Sequence, residues 1–287
     1  MTFRIRPARP DDFDAIYEMA KPTGGGFTNL PPDRGTLVAK LARSEESFSR
    51  QEDEQAGDLY VFVLEDPAAA RIRGTCQVFG QVGVVQPFYS YHLSTLTQSS
   101  PELGKTFRNQ MLSLTTDLEG ASEVGGLFLH PLSRAGGWGS LLSRSRYLFI
   151  KQHRARFGDR TLAELRGVLD EAGNSPFWDA LAGRFFGMSF PEADQFNAVH
   201  GTEFIADLMP RTPIYVALLD EGARAVMGQP HPSGRAAPHG LLDPDPHGPA
   251  EVARGQAHHA PVARDVREGG PAPVAPADPD VEHVSDR

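Results

Sequence analysis

One stretch of the sequence decides the fold: Gly126-Leu127-Phe128-Leu129-His130-Pro131-Leu132-Ser133-Arg134-Ala135-Gly136-Gly137-Trp138-Gly139. Its first apolar run predicts a β-strand, and the apolar spacing that begins near Ser140 predicts a long amphipathic helix. The start of a helix leaves backbone N–H groups without intrahelical acceptors and carries the positive end of the helix dipole. A glycine-rich loop between this strand and this helix therefore predicts an anion-binding site.

The residues of this loop suit a phosphate group. Gly136, Gly137 and Gly139 have no Cβ atom, so a phosphate can approach the backbone closely. Arg134 adds a positive charge with forked donors, and Ala135 lies inside the resulting Arg-x-x-Gly-x-Gly pattern. The alternative interpretation is a glycine-rich surface turn.

Two other phosphate-binding loops do not fit the same stretch. A Walker A loop needs Gly-Lys followed by Ser or Thr, and the last lysine of the chain, Lys151, lies beyond the loop. A dinucleotide-binding loop needs Gly-x-Gly-x-x-Gly, and the glycine spacing here is different. Arg-x-x-Gly-x-Gly at 134–139, between a strand and a helix, resembles the pyrophosphate loop of the GCN5-related N-acyltransferases, which bind acyl-coenzyme A.

The composition excludes several classes of function. A formal net charge of -9 argues against nucleic acid as the main partner, because binding to a phosphate backbone needs a basic surface. A single cysteine, Cys76, excludes an internal disulfide and a multi-cysteine metal site, and its position in an apolar strand favours a buried role over that of a nucleophile. No apolar segment reaches membrane-spanning length, and the first residues lack the apolar core of a signal peptide. The sequence therefore predicts a cytoplasmic protein with no membrane segment and no metal site.

Strand and helix patterns alternate along the rest of the chain. Strands are predicted at residues 3–7, 59–64, 72–82, 87–96, 124–129 and 160–168. Helices are predicted at 13–20, 33–48, from about 140, from 175, within 192–208 and at 221–227. Together they predict an α/β fold.

Seven short segments, in the order of the chain from about residue 3 to 232, resemble the arginine N-succinyltransferases, a family of the GCN5-related N-acyltransferase superfamily. They are residues 23–31, 87–91, 141–144, 163–167, 175–178, 208–215 and 228–232. The resemblance implies a mixed, mostly antiparallel sheet flanked by helices. It also implies transfer of succinyl from succinyl-CoA, a co-substrate and not a bound cofactor, to the α-amino group of L-arginine, with L-ornithine as a second acceptor in some members.

Further implications concern assembly and alternatives. The resemblance implies a homo-oligomer or an α/β hetero-oligomer. A different class of function is a non-catalytic acyl-CoA-binding subunit whose partner supplies the chemistry.

The resemblance also assigns roles to residues. The proton donor of the family is the histidine of a Gly-Gln-x-His motif, which here is His231. The family's contact with succinyl-CoA lies on the strand before the loop, at Leu127 with Leu129 as its neighbour. Without the resemblance, His231 is one of six histidines in a proline-rich segment.

Four further residues are candidates for substrate recognition. Tyr89, Ser90 and Arg166 are possible donors to the carboxylates of succinate and arginine, and Glu164 is a possible acceptor for the guanidinium. Each fits equally well as a strand residue in a solvated network.

The composition changes near residue 230. Residues 230–287 hold 11 of the 24 prolines and six of the ten histidines, and they contain no Ile, Phe, Trp or Tyr. Such a segment buries too little apolar surface to offset ordering. The sequence therefore predicts an acyltransferase domain at 1–229 and a disordered tail at 230–287. A frameshift after His231 is one hypothesis for this tail, and a histidine-rich metal-binding tail is the other.

Overall fold

A computed structural model describes residues 3–21, 30, 33–134 and 136–231 of the chain. The predicted tail beyond 231, most of the glycine-rich segment at 23–31 and Ala135 lie outside these residues. The strands are β1 (Arg4–Pro7), β2 (Leu59–Asp66), β3 (Arg71–Phe79), β4 (Ser90–Ser100), β5 (Lys105–Thr115), β6 (Ser122–Leu129), β7 (Thr161–Leu162) and β8 (Ile214–Tyr215). The helices are α1 (Phe13–Ala20), α2 (Arg34–Ser49), α3 (Trp138–Gln152), α4 (Pro176–Ala180), α5 (Ala182–Phe186), α6 (Phe190–His200), α7 (Phe204–Leu208) and α8 (Glu221–Val226).

The main sheet has five strands in the order β1-β2-β3-β6-β7. All neighbouring pairs are antiparallel except β6 and β7, which run parallel. The parallel pair follows from α3, because a helical crossover returns the chain in the same direction. The predicted α/β fold with a mixed, mostly antiparallel sheet between helices is confirmed.

Both faces of this sheet are buried, and β2 shows the period of two most clearly. Leu59, Val61 and Val63 pack toward α1 and α2, with Ile16, Leu37 and Leu41. Tyr60, Phe62 and Leu64 pack on the other face, with Leu142 and Ile150 of α3. Because both faces of β2 are buried, positions 59–64 are all apolar and the sequence there is a continuous apolar run.

A second layer is built around a three-stranded sheet in the order β4-β5-β8. Its core joins Tyr91 and Leu112 to residues of α4–α8, among them Trp178, Phe190 and Ile205. The sequence predicted most of these helices, but not a separate sheet. It missed the long β5, whose outer residues are largely polar and exposed.

One predicted strand is wrong over most of its length. The run 160–168 forms a strand only at Thr161–Leu162. These residues pair with Ser122 and Glu123, and the following residues leave β6. Further along the run, Gly167 forms an isolated antiparallel bridge with Pro230. Leu162 packs with Val82, Phe88, Leu118 and Ala121, and Ala163 packs against the cluster under α3, so apolar residues recur here without a continuous ladder.

Two serines of α2 complete the hydrogen bonds of β2 beyond the end of β1. The Val61 N–H donates to Oγ of Ser44 at 2.9 Å, and the Leu59 N–H donates to Oγ of Ser47 at 3.0 Å. Both contacts are buried, so neither N–H can turn to water.

We expect Ser44→Ala to lower the free energy of unfolding by roughly 1–3 kcal/mol, because it leaves the buried Val61 N–H without an acceptor. Chemical denaturation measures the change. Ser49→Ala is the matched control, since Oγ of Ser49 donates only to an exposed carbonyl of its own helix, that of Glu46. Equal stability of the two variants would contradict this role of Ser44.

Candidate functional site

The loop between β6 and α3 has the geometry of an anion site. Gly136 and Gly137 lie in the left-handed region with φ of 78° and 79°, and Gly137 is the residue that precedes α3. No side chain among the described residues caps the helix, and its first turn carries no acidic residue. A Cβ atom on Gly137 would meet nothing within 4 Å, so the space over the helix start is open. The side chain of Arg134 is exposed beside it and donates through Nε to the Leu129 carbonyl at 3.3 Å.

The strand before the loop carries a β-bulge. The register of β3 and β6 shifts between Thr75 and Gln77, and Gly126 takes a φ of 55°. A Cβ atom there would approach the Gln77 side chain to 2.9 Å, so the bulge requires glycine. Leu127 and Leu129 follow, both half-buried against the cluster under α3. Gly139 lies above Leu129, at an ordinary contact distance of 3.6 Å for an added Cβ.

A cleft opens where β6 and β7 separate. The two strands pair only at Ser122–Thr161 and Glu123–Leu162, so the β7-facing edge of residues 124–129 has no strand partner among the described residues. Such an edge can offer backbone N–H groups to an extended ligand. The carbonyls of Gly125, Gly126 and Leu129 already accept side-chain hydrogen bonds. The loop lies at the open end of this cleft.

His231 lies beside the segment that follows β7. Its backbone N–H donates to the Arg166 carbonyl at 2.7 Å, and the neighbouring Pro230 bridges to Gly167. Burial, and then the positive charge of Arg166, lower the pKa of His231 from its ordinary value of 6.5. The imidazole is therefore neutral near pH 7 and can accept a proton.

Glu164 lies two residues beyond the end of the β6–β7 pairing. Its Oε1 atom is buried and has no hydrogen-bond partner among the described residues. Burial, and then the charge of Glu123, raise the pKa of Glu164 well above its ordinary value. Across the face of the sheet, burial lowers the pKa of Lys40 to about 7, against the opposing effect of Glu123.

The sequence missed Glu123 and Lys40. Glu123 stands in an apolar strand and is only 5% exposed. Lys40 falls on the apolar side of α2, between Leu37 and Leu41. A charged residue inside an apolar pattern is the signal that could have identified both.

The other predicted residues lie elsewhere. Tyr89 is half-buried beside the core around Tyr91 and Leu112. Burial, and then the charge of Glu119, raise the pKa of Tyr89. Ser90 is buried, and its hydroxyl donates to Asp117 at 3.4 Å. Cys76 is buried under α3, and burial raises its pKa to about 11, which makes the thiol a poor nucleophile.

Two features are absent from the described residues. No group of three or more His, Cys, Asp or Glu side chains is placed to hold a metal ion. No helix in the described part of the chain combines the length and apolar character that a membrane crossing requires.

Comparison with known proteins gives concordant matches. The family model described as arginine N-succinyltransferase beta subunit matches residues 3–244, a range that passes the boundary predicted at residue 229. An arginine N-succinyltransferase of Citrobacter koseri is 42% identical over 228 residues, which are 79% of this chain and 66% of the relative. An arginine N-succinyltransferase subunit beta of Pseudomonas aeruginosa is 42% identical over 233 residues, 81% of this chain and 68% of the relative.

A solved structure agrees with these sequences. The arginine/ornithine succinyltransferase subunit AI from Pseudomonas aeruginosa superposes with a TM-score of 0.73 at 32% identity, over 81% of this chain and 68% of that chain. The match thus spans about two thirds of the length of each of these relatives.

We expect Gly137→Val to weaken coenzyme A binding by roughly tenfold or more, the equivalent of one lost hydrogen bond to a charged group. The new side chain fills the space over the helix start, and calorimetry with coenzyme A measures the loss. Gly173→Val is the matched control, because Gly173 has a φ of 86°, similar open space and a position outside the loop. Both variants share the backbone strain, of roughly 1–2 kcal/mol. Equal affinities in the two would contradict the anion site.

Arg134→Ala should weaken coenzyme A binding less than Gly137→Val does, because the exposed guanidinium acts through solvent. The affinity that remains should also depend less on salt concentration, since one charge has been removed. A salt titration of both chains measures this, and an unchanged salt dependence would show that Arg134 contributes nothing.

Proposed function

Because the chain belongs to the arginine N-succinyltransferase family, we propose that it transfers the succinyl group of succinyl-CoA to the α-amino group of L-arginine. The observation that carries the proposal is this membership, over residues 3–244. The geometry of the cleft supports it, since an anion site, an open strand edge and a neutral imidazole lie along β6 and the β7 segment. The acyltransferase domain comprises residues 1–229.

Succinyl-CoA binds as a co-substrate along β6. The N–H groups at the start of α3 and Arg134 bind the pyrophosphate, and Gly136, Gly137 and Gly139 let it approach the backbone. The part of succinyl-CoA between the pyrophosphate and the thioester then follows the open edge of β6 toward Leu129 and Leu127. Donation from this edge to the thioester carbonyl would stabilise the oxyanion that forms when the amine attacks.

The proton transfers fall to His231. Attack by the α-amine on the thioester carbon forms a C–N bond, and the nitrogen must lose a proton. A neutral His231 accepts this proton, and the imidazolium then donates it to the departing thiolate of coenzyme A as the C–S bond breaks. Turnover therefore falls as the pH drops through the pKa of His231.

Substrate recognition draws on both layers of the structure. Arg166 lies beside His231 and donates to a carboxylate, while Glu164 accepts from the cationic end of arginine. Tyr89 adds a donor next to the start of β4, whereas the hydroxyl of Ser90 is buried and already donates to Asp117. L-Ornithine is the second acceptor, and the assembly is a homo-oligomer or an α/β hetero-oligomer of related chains.

The purified chain, given succinyl-CoA, should release free thiol only when L-arginine is added. A colorimetric thiol assay measures this, with L-ornithine and a polyamine as further acceptors. Thiol release with a polyamine but not with arginine would contradict the proposed acceptor. Binding of coenzyme A with no release for any amine would instead indicate a non-catalytic acyl-CoA-binding subunit.

We expect His231→Ala to lower kcat by roughly 100-fold or more, the scale of a lost general acid or base. Coenzyme A affinity should survive, because the loop before α3 is a separate structure. His200→Ala, at the exposed end of α6, is the matched control. The wild-type rate should fall as the pH drops through the pKa of His231, which is lower than 6.5. Full turnover by His231→Ala would place the proton transfer elsewhere.

A further inference from the structure

A groove of about 450 Å³ lies between β5 and α8, in the second layer of the structure. Leu93 of β4, Val216 and Met227 form its apolar wall. Val216 is buried, and Leu93 and Met227 are half-buried against the core around Tyr91 and Leu112. The volume lies within the range of small-molecule sites, roughly 300–1,000 Å³. The groove therefore has room for a small ligand over an apolar surface.

The alternation of β5 explains why the groove is polar at its outer end. Arg108 and Gln110 share a face of the strand with Leu112, whose side chain is fully buried in the same core cluster as Ala223 of α8. Pairing of β8 with β5 covers only Met111 and Leu112. Arg108 and Gln110 thus continue the core-facing side of β5 beyond the part that the core covers, and both are exposed.

Two arginines line this groove from different elements, Arg108 from β5 and Arg224 from α8. Neither side chain makes an ion pair or a hydrogen bond within the part of the chain that the structure describes. Asp220, which precedes α8, is already paired with Arg184 at 2.9 Å. Glu221 lies one turn before Arg224 and forms no ion pair with it. The groove therefore presents two guanidinium groups whose donors the described residues do not use.

The lining indicates the chemistry of the ligand. Guanidinium groups have forked donors that match a carboxylate. The Gln110 amide, which has no hydrogen-bond partner in the described ranges, can supply a further donor. The apolar wall would contact methylene groups, which inorganic phosphate does not have. An anion with a short aliphatic body fits both parts of the groove.

We propose that this groove is a binding site for a short aliphatic carboxylate, held by Arg108 and Arg224. The same chemistry has two sources, free succinate and the free carboxylate of the succinyl group carried by coenzyme A. Only the second source rests on the proposed function. Gly228 lines the groove and stands three residues before His231, at most roughly 10 Å along the chain. With the second source, the two arginines distinguish a succinyl from an acetyl group.

Calorimetric titration with free succinate, without coenzyme A, tests the site by itself. Succinate should bind more tightly than inorganic phosphate does, because only succinate contacts the apolar wall. Arg108→Gln and Arg224→Gln should each raise the Kd of succinate by roughly tenfold or more, the scale of a lost hydrogen bond to a charged group. Both arginines are exposed, so neither substitution disturbs the core. Arg71→Gln is the matched control, since Arg71 is an exposed arginine of β3 outside the groove.

A second titration compares succinyl-CoA with acetyl-CoA and separates the two sources. If the groove holds the succinyl group, Arg108→Gln and Arg224→Gln should weaken succinyl-CoA binding by roughly tenfold and leave the affinity for acetyl-CoA unchanged. Free succinate should then compete with succinyl-CoA but not with acetyl-CoA. If the groove serves free succinate, the variants should lose succinate binding and bind both thioesters as the unchanged chain does.

Three results would overturn the inference. The first is a loss of affinity in Arg71→Gln as large as in the groove variants, which would reflect net charge alone. The second is a pair of groove variants with no change toward either succinate or succinyl-CoA, and the third is phosphate bound as tightly as succinate. Failure of the proposed function gives a different result, because a chain that binds succinate or succinyl-CoA through the two arginines but releases no thiol with L-arginine keeps the groove and loses only the reaction.

Discussion

The early separation of β6 and β7 is the constraint on which the rest of the structure depends. Parallel pairing lasts for two residues, held by Ser122–Thr161 and Glu123–Leu162, and then stops. The bulge at Gly126 bends β6 just beyond this point, because a bulged strand twists away from its neighbours. The sheet therefore has a cleft between its last two strands, with the β7-facing edge of β6 left without a strand partner among the described residues.

The two ends of this cleft differ in charge. At the open end, the start of α3 and Arg134 are positive, and left-handed glycines keep the space over the helix clear. At the closed end, Glu164 interacts electrostatically with Glu123, and Glu123 interacts with Lys40. The positive end of the cleft therefore attracts a ligand with phosphate groups, and the negative end attracts a cationic ligand. This electrostatic difference can separate the two ligands without specific contacts.

Local chemistry explains what the sequence could predict. The strand, loop and helix around residues 126–152 follow from apolar periodicity and from glycines at positions of positive φ, which are properties of neighbouring residues. Ser175 and Pro176 likewise mark the start of α4, where Oγ of Ser175 accepts from the Trp178 N–H.

Features that depend on tertiary placement could not be predicted from the sequence. The run 160–168 has a strand pattern, yet only the position of β6 decides that two of its residues pair. Glu123 and Lys40 come together from elements about 80 residues apart in the chain, and no spacing rule connects them. The role of His231 came from the family resemblance, and the roles of Arg134 and the loop glycines came from the strand-loop-helix pattern; all of these roles are proposals.

We propose that the thioester and the acceptor approach the cleft between β6 and β7 from its two ends. Hydrogen–deuterium exchange of backbone amides, measured with each ligand alone, tests this most directly. Coenzyme A should slow exchange at residues 127–129 and 136–141 and leave 163–167 unchanged, whereas L-arginine should slow exchange at 163–167 and 229–231. Protection by both ligands of the same residues, or of β4, β5 and α8 instead, would contradict it.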